Sequence, residues 1–198
     1  MVEFERAEWP RQIAGTILFG LLIVPLSIYR SDPYLVGFSL QMFFFFFLFM
    51  SLASIAGIWF GAWGILAACL HALFFPTFHG CFSPPYVEVY DLGGVIFQAV
   101  IPALIMRHYK VDPRLLTEKD AGVFWLSVFL ASFLSTFTMF AGPNLRLWIP
   151  SNAIFLIVLV LPWSMGISIF TILVGFMLLQ KFSRRIIKAR ACCKGWFS

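Results

Sequence analysis

The groups in this 198-residue chain best able to recognise a small molecule fall in two polar stretches. His79, Glu88 and Asp91 lie in one, Asn144, Arg146 and Trp148 in the other, and Gln98 follows Asp91 by about two helical turns. An imidazole, two carboxylates, two amides and a guanidinium supply donors, acceptors and both signs of charge, and Trp148 adds a flat ring with an N–H. Ser132, Ser135 and Thr136 recur at helical spacing on one side. These residues are expected to line a ligand pocket roofed by loops. Each also has a plain structural account. Glu88 and Asp91 suit a helix start, Arg146 can snorkel, Trp148 and Trp163 suit an interfacial belt, and span hydroxyls bond to their own backbone. Bond-making chemistry is less visible, because the chain has no nucleophile motif, glycine-rich phosphate loop or paired carboxylates. It therefore reads as a non-enzymatic binder without a cofactor.

The elements that must position these groups are apolar. Residues 33–87 contain no Asp, Glu, Lys or Arg and include the block Phe43 to Phe47. A spanning helix needs about 20 apolar residues, so this run holds two spans. Composition agrees: 61% of the chain is hydrophobic and 12% charged, about half the charge of a soluble domain, and mean hydropathy is +0.92. The fold expected is all-α, a single polytopic membrane bundle of six transmembrane helices, with spans at residues 12–29, 34–54, 58–76, 87–106, 121–141 and 152–180. The first segment follows Glu3, Glu5, Arg6, Glu8 and Arg11 without a small-residue cleavage site, so it reads as a span and not a cleaved signal. The phenylalanine block is expected to be lipid-facing bulk, with one or two rings packing inward.

The turn between the second and third spans is placed at Gly57. Gly57, Gly61, Gly64 and Ala68 are then expected to share one helix face, for packing or for docking a partner. The last span is longer than a bilayer requires, and Pro162 within it predicts a kink or a strong tilt.

Six spans put both ends on one side. A basic tail, residues 181–198, and the loop at residues 107–120 share that side, and positive-inside retention makes it cytoplasmic. The protein is thus read as N-in/C-in in the inner membrane. Lys181, Arg184, Arg185 and Lys188 are read as contacts to lipid headgroups, with no nucleic-acid role. On this topology His71, His79 and His108 cannot converge, so no metal site is expected. Cys69, Cys81, Cys192 and Cys193 show no disulfide or zinc spacing. Arg146 is the single charge between Ala121 and Gln180, which argues against a carboxylate-driven pump or a voltage sensor.

The stretch Gly61-Ala62-Trp63-Gly64-Ile65-Leu66-Ala67-Ala68 resembles the glycine- and alanine-rich helix text of the S-components of energy-coupling factor transporters. That resemblance implies six helices, an outward-opening pocket for a small nutrient, and partners in the form of a transmembrane coupling protein and ATPase subunits. The first helix departs from that family's alanine-rich docking face, offering only Thr16 with Gly20 at the small-x-x-x-small spacing. A second stretch, Ile96-Phe97-Gln98-Ala99 to Met106-Arg107, is followed by Asp112-Pro113, Lys119-Asp120 and Trp163-Ser164-Met165-Gly166. It is similar to MASE-type integral membrane sensor domains, which implies a sensory or scaffold module acting through a cytoplasmic partner.

Overall fold

Helices account for nearly all of the described chain, and their ends follow from local chemistry. The computed structural model describes residues 9–31, 40–70, 85–144 and 150–189. Six helices appear there: α1 (Trp9–Ser31), α2 (Leu40–Phe60), α3 (Ala62–Cys69), α4 (Pro85–His108), α5 (Glu118–Asn144) and α6 (Pro150–Lys188). No strand occurs among the described residues. Proline opens α4 and α6 at the first helical position, where no N–H is needed. For α5, the Thr117 hydroxyl accepts the Asp120 N–H at 3.1 Å, and Glu118 and Asp120 favour the positive end of the dipole. At the end of α4, the Val111 N–H reaches back to the Met106 carbonyl at 2.8 Å. Lys110 adopts φ 52° there, a left-handed closure usually given to glycine.

α5 and α6 contain segments long and apolar enough to cross a membrane, Glu118–Met139 and Val160–Lys188. Phe44–Phe60 and Leu92–His108 are shorter apolar helices. The expected six spans thus resolve, among the described residues, into two of full length and these shorter pieces.

α2 is the central element and packs against α1, α3, α4 and α6, while α4, α5 and α6 follow one another in contact. One cluster joins Trp59, Phe60, Met106, Phe124 and Leu179, and a second joins Phe49, Met50, Val95, Ala99 and Ile167. The phenylalanine block is a correction to the lipid-facing expectation. Phe44 is half exposed, but its ring meets Phe170 edge-on, and Phe46 and Phe47 meet Trp163. The reason lies in α6, where Gly166 leaves room for the Phe47 ring.

The turn also differs from expectation. α2 continues through Gly57 and breaks at Gly61, whose φ of 60° and ψ of −129° suit a residue without a Cβ. Gly57 remains helical because α4 lies against it: a Cβ there would strike the Ala99 carbonyl. A Cβ at Gly64 would strike the Ala56 carbonyl across the corner. Gly57, Gly61, Gly64 and Ala68 therefore do not share one helix face. They lie on α2, at the corner and on α3, and Gly57 and Gly64 serve packing within the chain.

Two further boundaries move. Glu88 and Asp91 belong to the first turns of α4, within the span expected at 87–106, and Asn144, beyond the end expected at 141, is the last residue of α5. The basic segment beginning at Lys181 is helical through Lys188, because no glycine or proline interrupts the chain between Gly175 and Gly195. At 39 residues, α6 is about 58 Å long. It runs through Pro162 without a break in the helix.

Side-chain bonds tie one end of the bundle together. Arg11 donates to the Ala189 carbonyl at 3.3 Å. The Arg107 guanidinium, on α4, donates to the carbonyls of Gly57 and Ile58 at 3.3 Å each, holding the last turn of α2. Trp59 donates to the Ser183 hydroxyl at 2.9 Å, and Ser183 donates to the Pro113 carbonyl at 3.1 Å. The start of α1, the ends of α2, α4 and α6, and the loop at residues 109–117 therefore meet at one end.

That loop is braced by Asp112, which accepts the Arg114 backbone N–H at 2.8 Å and the Arg114 Nε at 2.9 Å. Partial burial pushes the Asp112 carboxyl up, but the hydrogen bonds and charge of Arg114 outweigh it and hold the carboxyl below its ordinary range.

Two outcomes follow from these contacts. Gly64→Val should destabilise the protein by about 3 kcal/mol or more through backbone collision, whereas Gly122→Ala, which has open space, should be neutral or stabilising by about 0.5 kcal/mol; thermal unfolding in detergent compares them. Asp112, with its depressed pKa, contributes stability above the ordinary carboxylate value of about 4 and loses it as pH falls through the folded-state value. Asp112→Asn should therefore cost up to about 1 kcal/mol at pH 7, limited by solvent screening. That difference should vanish toward pH 3, as tryptophan-monitored unfolding at both pH values would reveal.

Candidate functional site

The outward faces of α5 and α6 are large and apolar, while most hydroxyls on the two helices turn inward. Along α6, Leu161, Met165, Ile169, Leu173 and Met177 are exposed, while Ser164, Ser168 and Thr171 are buried. Along α5, Trp125, Leu126, Phe129 and Leu130 are exposed, while Ser127, Ser132, Ser135 and Thr136 are buried. The inward hydroxyls follow from spacing at three and four residues, which keeps them on one face.

The seam these groups form crosses four helices. On α2, the Ser51 hydroxyl can direct its hydrogen to the Phe47 carbonyl at 2.7 Å, and it lies 2.9 Å from the Thr171 hydroxyl of α6, a pair in which either oxygen can donate. One turn on, the Ser54 hydroxyl has a single hydrogen, directed to the backbone carbonyl of Gln98 at 2.9 Å or of Met50 at 3.2 Å. Ser54 can thus only accept from the Gln98 side chain, which fixes that amide's orientation. Gln98 Nε2 donates to Ser54 at 2.9 Å and to Ser132 of α5 at 3.4 Å.

Both amide hydrogens are then committed, and Gln98 Oε1 has no partner. The Ser135 hydroxyl has none either. Its neighbours Thr136 and Thr138 bond to carbonyls one turn back, at 2.7 and 2.8 Å, and Ser135 does not. Both side chains are fully buried. A buried unpaired group costs about 1–3 kcal/mol, so the open Gln98 Oε1 and Ser135 hydroxyl, like Gln12 and Thr16 on α1, are candidate polar atoms of a site. α4 and α5 approach closely here, since Gly94 lies against the Ser135 carbonyl and Met139.

No protein-family model, curated protein or solved structure matches this chain. The chemistry of the site therefore rests on the residues themselves. The seam is composed of amide and hydroxyl groups, with no ionised side chain among the described residues in it. No group of three His, Cys, Asp or Glu among the described residues could hold a metal ion. Such a site suits recognition of a neutral molecule offering an N–H or O–H to Gln98 Oε1.

Of the residues singled out in the sequence, Gln98 is the one at the centre of this network, Ser132 joins it, and Ser135 lies one turn further along α5 without a bond. His79, Arg146 and Trp148 lie outside the described residues. Glu88, Asp91 and Asn144 sit on α4 and α5, and the description of those three stops at the backbone. Ser54 escaped the sequence reading, although hydroxyls at 51 and 54, three apart in the most apolar helix, were the available signal. Arg107, read as a loop residue, instead clamps α2. Gln12 and Thr16 on α1 are also buried, with Gln12 Nε2 and Oε1 and Thr16 Oγ1 unpartnered.

Ser54→Ala should destabilise the fold by about 1–2 kcal/mol, because it strands a Gln98 N–H. Ser135→Ala removes a group that makes no bond in the fold, so it should cost less than about 0.5 kcal/mol. Unfolding of the two variants in the same detergent compares them.

Proposed function

We propose that this chain is a multi-pass inner-membrane protein that binds a small neutral molecule for uptake, as an S-component-like capture subunit working with partner subunits. The observation that supports the reading is the unpartnered Oε1 of Gln98, whose amide nitrogen is bonded to Ser54 and Ser132, together with the unpartnered Ser135 hydroxyl one turn from Ser132 on α5. The membrane part draws support from two spanning-length segments and from apolar outer faces around buried hydroxyls, the arrangement that a hydrocarbon solvent demands. Six crossings with both ends cytoplasmic accord with the shared end that gathers Arg11, the loop at residues 109–117 and Ala189. The ligand enters from the opposite side, where Glu88 and Asp91 at the start of α4 and Asn144 at the end of α5 lie. Arg146 is the single charge between Ala121 and Gln180, which disfavours coupling to an ion gradient there, so energy comes from an ATPase pair through a coupling protein.

A second reading, a sensory or scaffold module, is favoured by one feature. α6 continues as unbroken helix from the bundle through Lys188, a rod suited to passing a displacement to a cytoplasmic partner. Co-purification separates the two, an ATPase pair and coupling protein for uptake, a kinase or cyclase for sensing.

The test of the binding site is native purification in mild detergent, with mass spectrometry of extracted small molecules. A neutral species bearing N–H or O–H donors should accompany the wild-type protein. Its occupancy should fall about tenfold in Gln98→Leu and in Ser135→Ala, the equivalent of one lost hydrogen bond to a buried group. Wild-type protein recovered empty, or equal occupancy in the variants, overturns the proposal.

A further inference from the structure

The outward face of α6 changes character at one point. From Val158 to Met177 it presents Leu161, Met165, Ile169 and Leu173, all exposed. Beyond Gln180 the same side of the same helix presents Lys181, Arg184, Arg185 and Lys188, also exposed, while Leu179 and Ser183 stay buried against the bundle. The four cations form two pairs spaced by four residues, Lys181 with Arg185 and Arg184 with Lys188, so each pair stands one above the other. Lys181 Nζ and the Arg185 guanidinium both lie 5.9 Å from the centre of the Phe182 ring, which orients them toward each other's space.

Nothing in the described residues neutralises this cluster. α6 contains no acid, and none of the four has an ion-pair partner among the described residues. Asp112, at the same end, is occupied by Arg114. Glu118 and Asp120 stand in the first turn of α5, where the helix dipole favours them.

We infer that Lys181, Arg184, Arg185 and Lys188, with Phe182 at their centre, form a docking site for an anionic phospholipid headgroup of the cytoplasmic leaflet. The lipid's acyl chains lie along the Leu173–Met177 face, and its phosphate and glycerol lie against the cations, two of them guanidinium groups able to bind phosphate through two parallel hydrogen bonds. Continuity of the apolar and cationic faces on one rigid helix makes a lipid the fitting occupant, since a soluble anion has no use for the apolar half. The inference rests on α6 lying in a membrane and is independent of any guest at Gln98.

The experiment reconstitutes the protein in nanodiscs of equimolar phosphatidylcholine and phosphatidylglycerol with identical acyl chains, then releases it into detergent for native mass spectrometry. Wild-type protein should retain phosphatidylglycerol in preference to phosphatidylcholine. Each cation removed should lower that preference about fivefold, so the quadruple variant K181Q/R184Q/R185Q/K188Q should show none. R184K/R185K, which keeps the charge, should retain most of it, and K110Q/K119Q, at the same end but off α6, should match wild type. Inorganic phosphate at 10-fold excess over lipid should not displace the retained lipid; displacement would assign the site to a free anion and overturn the proposal. Equal retention of the two lipids by wild type, or an undiminished preference in a folded quadruple variant, overturns it as well.

Discussion

Helix α2 meets α4 at backbone distance, and that approach governs much of what surrounds it. Gly57 lies against the Ala99 carbonyl with no space for a Cβ. One turn before Gly57 on α2 is Ser54, and beside Ala99 on α4 is Gln98, so closure at the glycine brings the hydroxyl onto the amide. Two turns further along α4, Arg107 reaches the carbonyls of Gly57 and Ile58. A small residue, a buried amide and a terminal guanidinium thus act in register along one pair of helices. Widening the pair by the thickness of a methyl group would loosen all three.

Packing of this kind is needed because the outer surface of the bundle is apolar. In lipid, burying a leucine against another leucine gains little, and helices are held by close contact and interhelical hydrogen bonds. The glycine seats for Phe47, Phe60 and Phe124, at Gly166, Gly15 and Gly175, supply the first. Ser51–Thr171, Ser54–Gln98–Ser132 and Trp59–Ser183–Pro113 supply the second. Gln98 Oε1 and Ser135 share with Gln12 and Thr16 on α1 the lack of a hydrogen-bond partner in the buried interior.

The two ends of α6 have separate tasks. Its upper half contributes Trp163, Gly166 and Phe170 to the seating of the phenylalanine-rich helix. Its lower end joins the Ser183 relay inward and carries four cations outward. Continuity of the helix through Lys188 couples the packed core to the charged surface.

The amino-acid sequence alone determined the helical class, the approximate position of each helix, and the placing of an amide, Gln98, within an apolar helix, because hydrophobic run length, prolines at helix starts and an amide amid apolar residues are local signals. Its one-dimensional pattern also indicated that the Ser132, Ser135 and Thr136 side chains share a face. Tertiary structure decided which glycine turns the chain, since Gly57 and Gly61 look alike until α4 is in place beside the first. It also decided that the phenylalanine block packs on α6, that Arg107 serves α2, and that Ser54 is the partner of Gln98. Those assignments depend on contacts between residues 42 to 126 positions apart, and no local pattern encodes which distant helix face will close on which.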